Sequence, residues 1–363
     1  MVVFQVFDTI KIKSHKGEYS VKFNKQGIFE LNDLPKKDNI FIIDNNVAII
    51  YKHRIEKVIG SEKIIYIDAK EENKSLEKFP AYIEELVKLK IRRGQYLIAI
   101  GGGIIQDITC FLAATIMRGL PWIFYPTTLL AQSDSCIGSK SSINSGEIKN
   151  ILGTFTPPDS VIIDVDFLKT LHKSEINSGI GEMLKMHAIH SPDSFDKIEK
   201  NYNLIINDFN ILENFIYDSL LMKRKIIEID EFDTGPRNVM NYGHSFGHAI
   251  ETATKYEIPH GIAVTLGMDI ANFVAAELGV SNLNIFNKMH DVLQKNSFEY
   301  RKVQINIKSL LNALSKDKKN TDLQLKLILP DQNGNINIGL YDNDYKLESA
   351  INKYFELYRE TKT

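Results

Sequence analysis

Short apolar runs alternate with polar, helix-like stretches through the first half of the chain. The runs NIFIIDNNV, KIIYIDA and QYLIAIGGG have the length and β-branched content of buried strands. The amphipathic stretch LEKFPAYIEELVKLKI has helical periodicity, further strands are predicted at PWIFYP and SVIIDVD, and the opening MVVFQVFDTIKIKS predicts a first strand. This alternation indicates βαβ units around a mainly parallel sheet.

The periodicity changes from strand-like to helical after about residue 170. The stretches SGIGEMLKMHAIH, DFNILENFIYDSLLMKRKIIE and GIAVTLGMDIANFVAAELG repeat their apolar residues at helical spacing. The late segment QLKLILPDQNGNINIGLYD predicts a small hairpin with Asn-Gly at its turn, followed by a final helix from about Lys346. We therefore predict an α/β protein with two domains, residues 1–171 and residues 172–363, the second mostly α-helical.

Charge and composition narrow the class of protein. Lys and Arg number 44 against 46 Asp and Glu, so no overall positive charge is present to attract nucleic acid or an acidic membrane. The apolar runs are shorter than a membrane span and the start lacks the features of a secretory signal, so a cytoplasmic enzyme is expected. Cys110 and Cys136 lack CxxC spacing and are expected to be buried, reduced thiols.

Three consecutive glycines, Gly101 to Gly103, follow a predicted strand and precede an apolar helix. Glycine lets the backbone approach a phosphate closely, and the free N–H groups of a helix start attract its negative charge. The segment matches neither GxGxxG nor the Walker pattern, so a tight turn without a ligand is an equally good interpretation. Asp107, four residues beyond, slightly favours ligand binding.

The segment NYGHSFGHAIE carries His244 and His248 at positions i and i+4, on one face of a predicted helix. His260 follows in IPHGIAV, and Glu182 in GIGEMLKMH is a candidate carboxylate. Two histidines and one carboxylate leave an open coordination position, which is the catalytic arrangement for zinc. The pair of histidines alone is more often satisfied by hydrogen bonds within the protein.

A set of basic and amide residues lies beside glycines, short turns or the candidate metal helices: Lys140, Lys149, Asn150, Lys185, Lys223, Arg237 and Asn241. Each of them by itself is ordinarily a solvated surface residue. Several cations around one metal would instead form a pocket for a phosphate and a carboxylate.

Five segments, in their order along the chain, resemble 3-dehydroquinate synthases and the related sugar phosphate cyclases: GGGIIQD, MRGLPWIFYPTTLLAQSDS, IKNILGTF, GEMLK and DEFDTGPRNVMNYGHSFGHAIE. The resemblance extends from about Asp44 to Lys319. It implies an N-terminal Rossmann-like domain that binds NAD and a helical C-terminal domain that binds metal and substrate. It also implies conversion of 3-deoxy-arabino-heptulosonate 7-phosphate to 3-dehydroquinate and phosphate, in the shikimate pathway of aromatic amino acid biosynthesis.

The resemblance implies roles for individual residues. The ligands of a divalent metal, zinc or cobalt, would be Glu182, His244 and His260. The NAD contacts would be Asp44, Asn46, Glu71, Lys74, Gly102, Gly103, Asp107, Thr127, Thr128, Phe167, Thr170 and Glu175. The substrate contacts would be Asp134, Lys140, Lys149, Asn150, Lys185, Lys223, Arg237, Asn241, His248 and Lys318. Arg118 is expected to reach a neighbouring subunit's site, which implies a homodimer.

Five positions depart from the family pattern: Lys70, Gln106, Ser139, Asp233 and Ile262. Lys70 and Gln106 replace usual glycines, Ser139 interrupts a usual glycine pair, and Asp233 replaces a longer glutamate. Ile262 replaces an acidic residue. The loss of that acid is expected to remove a partner that orients His260.

Three alternatives stay open beside dehydroquinate synthase. Arg237, Asn241 and His248 favour a substrate that bears a carboxylate, whereas Ile262 leaves room for a specialised cyclase, amino-dehydroquinate or cyclitol-forming, in secondary or polysaccharide metabolism. A metal-dependent polyol or glycerol-phosphate dehydrogenase would share the architecture and NAD but would release NADH. The remaining alternative is a non-catalytic relative that serves as a binding module.

Overall fold

The computed structural model of the chain describes residues 7–24, 38–59, 63–315 and 324–359. Its contacts divide the chain into two compact units. The first comprises Met1–Leu171 and Lys223–Phe232, and the second comprises His172–Met222 and Asp233–Thr363. The sequence pattern places residues 223–232 in the second domain. The structure assigns them to the first unit, because contacts such as Lys13 N–H to Glu228 Oε1 (3.0 Å) join residues far apart in the chain.

The first unit is built on a seven-stranded sheet. Its strands are β1 (Ile10–Ser14), β2 (Gly17–Phe23), β3 (Ile40–Asp44), β4 (Ile64–Ile67), β5 (Leu97–Gly101), β6 (Trp122–Pro126) and β9 (Ser160–Ile163). They lie in the order β1-β2-β9-β6-β5-β3-β4. Every neighbouring pair is parallel except the β1–β2 hairpin, which confirms the predicted mainly parallel sheet.

The helices of the first unit are α1 (Asn45–Ile50), α2 (Lys52–Val58), α3 (Phe79–Lys88) and α4 (Gly103–Thr115). Short 3₁₀ turns cover Glu71–Asn73, Leu76–Lys78, Ile116–Arg118 and Val165–Thr170, and Ala131–Ser135 form a turn of π-helix. Strands β3, β5 and β6 are buried along their whole length. This is why they read as continuous apolar runs rather than alternating ones.

An antiparallel hairpin, β7 (Lys140–Ser145) and β8 (Ile148–Phe155), also belongs to the first unit. The sequence pattern does not predict this hairpin. Most of β8 is exposed, so the strand has no buried face that would impose an alternating pattern.

The second unit is mostly helical, as predicted. Its helices are α5 (Lys173–His190), α6 (Pro192–Ile205), α7 (Phe209–Ile229, whose last residues belong to the first unit), α8 (His244–Ala253), α9 (His260–Glu277), α10 (Leu283–Ser297), α11 (Ile307–Ser315) and α12 (Tyr345–Tyr358). Short 3₁₀ turns cover Pro236–Asn241 and Phe298–Tyr300. The predicted late hairpin is β10 (Gln324–Pro330) with β11 (Ile336–Asp342), and α12 confirms the predicted final helix.

Helix α9 is the central helix of the second unit. Every residue from Gly261 to Ala275 is buried, including the polar Thr265, Asp269 and Asn272, which explains why apolar residues occur on every side of this helix. Helices α5, α8, α10 and α12 pack against it. Because residues 182, 244 and 260 lie on α5, α8 and α9, this packing determines how closely they approach one another.

Among the residues that the structure describes, none of the helices combines the length and the apolar character needed to cross a lipid bilayer. Cys110 and Cys136 are buried free thiols, as predicted.

Candidate active site

Glycines let the three helices that carry the candidate metal ligands come into backbone contact. A Cβ atom on Gly261 would lie 1.9 Å from the carbonyl oxygen of Ser178, so α9 can touch α5 only without a side chain there. Gly243 precedes α8 with φ of 75° in the left-handed region, and a Cβ atom there would lie 2.7 Å from the carbonyl oxygen of Val264. These contacts set the positions of Glu182, His244 and His260.

The side chains of Glu182, His244 and His260 converge within the second unit. Glu182 Oε1 lies 3.4 Å from His260 Nε2 and 3.9 Å from His244 Nε2. Glu182 is buried, and Lys185 Nζ lies 2.5 Å from its other oxygen, Oε2. His244 Nδ1 lies 3.2 Å from the backbone oxygen of Tyr242, which leaves Nε2 directed at the carboxylate.

The spacing of these atoms fits a divalent cation better than a hydrogen-bonded cluster. Oxygen Oε1 of Glu182 is buried and makes no short hydrogen bond among the described residues, because its distance of 3.4 Å to His260 Nε2 is long for one. Ligands about 2.1 Å from a tetrahedral zinc ion lie about 3.4 Å from one another, which matches the Glu182–His260 separation and is shorter than the 3.9 Å between Glu182 and His244. Leaving a buried carboxylate oxygen unpaired is costly, and a cation held between the three side chains would remove that cost.

His248 lies beside the same cluster. One ring nitrogen from each of His244, His248 and His260 falls within 4.8 Å of the other two. The rings of His244 and His248 are 5.3 Å apart, as expected for positions i and i+4 of α8. The predicted shared helix face is confirmed, and His248 is placed to face whatever His244 and His260 bind.

The charges around the cluster shift its pKa values strongly. Burial opposes the negative charge of Glu182, but Lys185, His260 and His244 outweigh burial and hold its pKa well below the usual value. Burial and the nearby Lys185 depress the pKa of His244. Burial also opposes the charge of His260, but Glu182 and Glu251 raise its pKa to about 10. Strong pKa shifts of several neighbouring groups are typical of functional sites.

Glu251, on α8, contacts the far side of His260. Its Oε1 lies 3.3 Å from His260 Nδ1, opposite the Nε2 atom that faces Glu182. Ile262, the position that lacks the expected acid, is fully buried. The expected loss of an orienting partner is therefore wrong for this chain, because Glu251 supplies the carboxylate. The motif NYGHSFGHAIE contains Glu251, but sequence spacing alone does not show that its side chain reaches His260.

In the first unit, several predicted cofactor residues follow the carboxyl ends of adjacent parallel strands. Asp44 ends β3, Gly102 and Gly103 follow β5, and Thr127 and Thr128 follow β6. Asp44 is buried, and its Oδ1 accepts a hydrogen bond from Asn46 N–H. The carboxyl ends of parallel strands form the edge where dinucleotides bind in open α/β sheets.

Lys74 links a second group of predicted residues in the first unit. Its Nζ lies 3.1 Å from Asp107 Oδ2, 3.5 Å from Glu71 Oε1 and 3.0 Å from Asn150 Oδ1. Asp107 also accepts hydrogen bonds from the N–H and hydroxyl of Ser142. Burial outweighs these contacts and raises the pKa of Asp107. The structure thus brings Glu71, Lys74, Asp107 and Asn150 together, although they come from three separate segments.

Comparison with known proteins gives a consistent result over most of the chain. Residues 64–178 match the 3-dehydroquinate synthase N-terminal domain family and residues 179–320 match the C-terminal domain family. The chain is 39% identical to the 3-dehydroquinate synthase of Dictyoglomus thermophilum over 301 residues, which cover 82% of this chain and 84% of that protein. It is also 39% identical to the enzyme of Dictyoglomus turgidum, over 91% of this chain and 93% of the relative.

The chain belongs to the 3-dehydroquinate synthase family. Its fold is also that of a solved 2-deoxy-scyllo-inosose synthase complexed with carbaglucose-6-phosphate, NAD+ and Co2+. That protein is 23% identical, with a TM-score of 0.86 over 95% of this chain and all of the other. The predicted α/β fold class, with a Rossmann-like first unit and a helical second unit, is confirmed.

Further predicted residues of this family member have defined places. Lys223 Nζ lies 2.9 Å from Asp134 Oδ1 and donates to the Asp134 carbonyl oxygen at 2.6 Å. Arg237 is buried, and Asn241 ends the same 3₁₀ turn. Phe167 and Thr170 lie in the 3₁₀ turn after β9, and Glu175 lies in the first turn of α5. Arg118 is exposed. Lys318 lies outside the described residues.

Gln106 shows how this family member accommodates one departure from the family pattern. Gln106 Nε2 donates to the carbonyl oxygen of Ser135, and Ser135 Oγ donates to Gln106 Oε1, both at 2.6 Å. The amide therefore joins α4 to the π-helical turn that contains Asp134. A glycine at this position could make neither bond.

Proposed function

We propose that the chain is a 3-dehydroquinate synthase, which converts 3-deoxy-arabino-heptulosonate 7-phosphate to 3-dehydroquinate and phosphate in aromatic amino acid biosynthesis. The observation that carries the proposal is the convergence of Glu182 Oε1 with the Nε2 atoms of His244 and His260 in a member of this family. The family match extends over both units, and Arg237, Asn241 and His248 are the residue types suited to a substrate with a carboxylate.

Glu182, His244 and His260 are proposed to hold a divalent cation, zinc or cobalt. When bound, the cation supplies a Lewis acid for the substrate's oxygen atoms, and NAD supplies a hydride acceptor that is regenerated within the cycle. Neutral imidazole nitrogens and a carboxylate oxygen suit such an ion. The long packed helices that carry the three side chains hold them in place.

The proposed NAD-binding residues are those at the carboxyl edge of β3, β5 and β6 and those gathered around Lys74. Glycine at positions 102 and 103 lets a pyrophosphate approach the start of α4, where free N–H groups attract negative charge. Asp44, a buried acid that ends β3 next to β5, is proposed to contact a ribose hydroxyl of the cofactor. Phe167 and Thr170 in the first unit, and Glu175 in the second, are proposed as further NAD contacts.

The proposed role of the basic residues is to bind the two anionic groups of the substrate. Lys140, Lys149, Lys223, Arg237 and Lys318 provide the positive charge that a phosphate and a carboxylate require. The ammonium group of Lys185 lies 2.5 Å from Oε2 of the buried Glu182, and its positive charge keeps that carboxylate ionised. Asp134, Asn150, Asn241 and His248 are proposed as further substrate contacts, with His248 acting on the substrate rather than on the cation.

We further propose that the protein is a cytoplasmic homodimer in which Arg118 contributes to the partner's site. Arg118 is exposed, and both it and Met117 have positive φ, 66° and 51°. Such strained backbone in non-glycine residues is often found where a side chain is presented for a function.

The test is turnover of the purified protein with the keto-acid phosphate, NAD and either zinc or cobalt. We expect release of inorganic phosphate, a product with the mass of 3-dehydroquinate, and no net change of NADH absorbance. Glu182→Gln should lose activity by more than about a hundredfold, because it weakens the binding of the cation.

Other outcomes identify the alternatives. Stoichiometric NADH would indicate a polyol or glycerol-phosphate dehydrogenase. Turnover of a different sugar phosphate, with none of this substrate, would indicate a specialised cyclase. Binding of NAD without turnover of any sugar phosphate would indicate a non-catalytic binding module.

A further inference from the structure

Ser139 has a backbone conformation that favours glycine. Its φ is 65°, in the left-handed region, and it follows Gly138, whose φ is 111°. The next residue is Lys140, one of the proposed substrate contacts and the first residue of β7. A serine in this conformation needs an interaction that offsets the backbone strain.

Glu231 provides that interaction. Ser139 Oγ donates a hydrogen bond to Glu231 Oε1 at 2.5 Å, and the backbone N–H of His15 donates to Oε2 at 2.7 Å. His15 Nδ1 also lies 3.0 Å from Oε1. Burial opposes the charge of Glu231, but the bonds from Ser139 and His15 outweigh burial and lower its pKa. One carboxylate therefore joins the β1–β2 turn, the segment before β7 and the segment after α7.

The backbone around Ser139 is held on further sides. The Thr156 N–H donates to the Ser139 carbonyl oxygen at 2.7 Å, and the Gly138 N–H donates to Tyr19 Oη at 3.1 Å. The ring of Phe232, next to Glu231, lies 5.2 Å from His15 and 5.0 Å from Phe155. Since Lys140 follows Ser139 directly, these contacts determine where its side chain begins.

We propose that Ser139, Glu231 and His15 form a clamp that positions Lys140 for the substrate, so that Glu231 and His15 are positioning residues of the reaction. The inference rests on the proposed function for its kinetic part only. The clamp itself is independent of it, because all of its contacts lie among described residues of the first unit.

The first test measures amide hydrogen exchange and needs no turnover. The Lys140 N–H is bonded to the Gly138 carbonyl oxygen at 2.8 Å and reports on the segment. In Glu231→Ala and in Ser139→Gly, exchange of the peptide around Lys140 should be about tenfold faster. Ser139→Gly removes the CH2OH side chain, and with it the hydroxyl, and relieves the strained φ, so it should fold even if Glu231→Ala does not.

Glu228→Ala is the matched control for this test. Glu228 lies on the same stretch and accepts a hydrogen bond from Lys13 N–H at 3.0 Å, so its loss also frees β1 from a carboxylate. Exchange around Lys140 should be unchanged in this variant. The clamp would be overturned if the exchange rate around Lys140 were the same in all three variants, Glu228→Ala, Glu231→Ala and Ser139→Gly.

The second test separates KM from kcat. Glu231→Ala should raise KM for the keto-acid phosphate about tenfold while kcat changes less than about threefold, and it should add nothing further in a Lys140→Ala background. Multiplicative effects of the two substitutions would show that Glu231 does not act through Lys140. If the wild-type chain does not turn over this substrate, the proposed function fails, and the exchange experiment alone decides whether the clamp exists.

Discussion

At the scale of single residues, the proposed metal ligand His260 has a carboxylate on each side of its ring. Its Nε2 faces Glu182 at 3.4 Å while its Nδ1 faces Glu251 at 3.3 Å. A carboxylate behind a ligating imidazole selects the tautomer, holds the ring plane and makes the ligand more basic. Glu251 is therefore the residue whose effect on the proposed metal centre can be tested apart from the three proposed ligands.

Glu251→Ala should lower the affinity for zinc by about 10–100-fold, because His260 loses its orienting partner. Glu251→Gln keeps an acceptor and should lose less. Calorimetric titration of the purified variants measures the effect, and exposed Glu257→Ala is the control. Wild-type zinc affinity in Glu251→Ala would show that the contact does not orient His260.

His187 is a buried histidine on α5, the helix that also carries Glu182, and it affects the stability of the fold. Its Nδ1 lies 2.8 Å from Ser194 Oγ, and burial lowers its pKa to about 4. As pH falls below about 6.5, the unfolded chain takes up a proton that the folded chain does not, so stability is lost as pH falls from about 6.5 towards 4.

His187→Asn should remove this part of the acid sensitivity while keeping a partner for Ser194. Between pH 7.5 and pH 4.5, the wild type should lose about 2–3 kcal/mol more unfolding free energy than the variant. Urea unfolding at the two pH values measures the difference. His53→Asn, at an exposed position on α2, should follow the wild type, and the proposal would be wrong if His187→Asn did so too.

At the scale of elements, the candidate metal centre depends on how closely α5 and α9 approach. Their contact occurs at Gly181 and Gly261, where a Cβ atom on Gly181 would lie 2.2 Å from the Gly261 carbonyl oxygen. Glu182 directly follows Gly181 in the chain, and His260 directly precedes Gly261. The same close packing that stabilises the unit therefore sets the distance between two proposed ligands.

Gly261→Ala should force the two helices apart. We expect a loss of about 2–4 kcal/mol in unfolding free energy and weaker zinc binding, because the Glu182–His260 distance increases. Gly103→Ala is the control for stability, since a Cβ atom there would meet its nearest atom, Ser135 Oγ, at an ordinary 3.9 Å. Equal stability of the two variants in denaturant would refute this account of the helix contact.

At the scale of the whole molecule, the proposed dimer predicts that two inactive variants can restore activity when they are combined, which a monomer could not do. If Arg118 acts in the partner's site, a mixed dimer of Arg118→Ala and Glu182→Gln chains contains one site with both residues intact. Such dimers, co-expressed with two different affinity tags and purified on both, should have about half of the wild-type activity. Each homodimer should be nearly inactive. Inactive mixed dimers would place Arg118 in the site of its own chain.

Local patterns determined much of this protein from its sequence. The buried strands β3, β5 and β6, the helices α5, α7 and α9 and the β10–β11 hairpin have periodicities or turn residues that act over a few positions, so they can be read without the fold. The pairing of His244 with His248 is likewise a property of one helix turn.

Only the tertiary structure decided the features that join distant segments. Glu182 meets His260, Glu251 reaches the back of His260, Ser139 meets Glu231, and residues 223–232 belong to the first unit. None of these contacts imposes a period on the neighbouring sequence, because each depends on backbones that pack together after the elements have formed. The sequence does not predict the exposed strand β8 for a related reason, since a strand without a buried face has no alternation of apolar and polar residues.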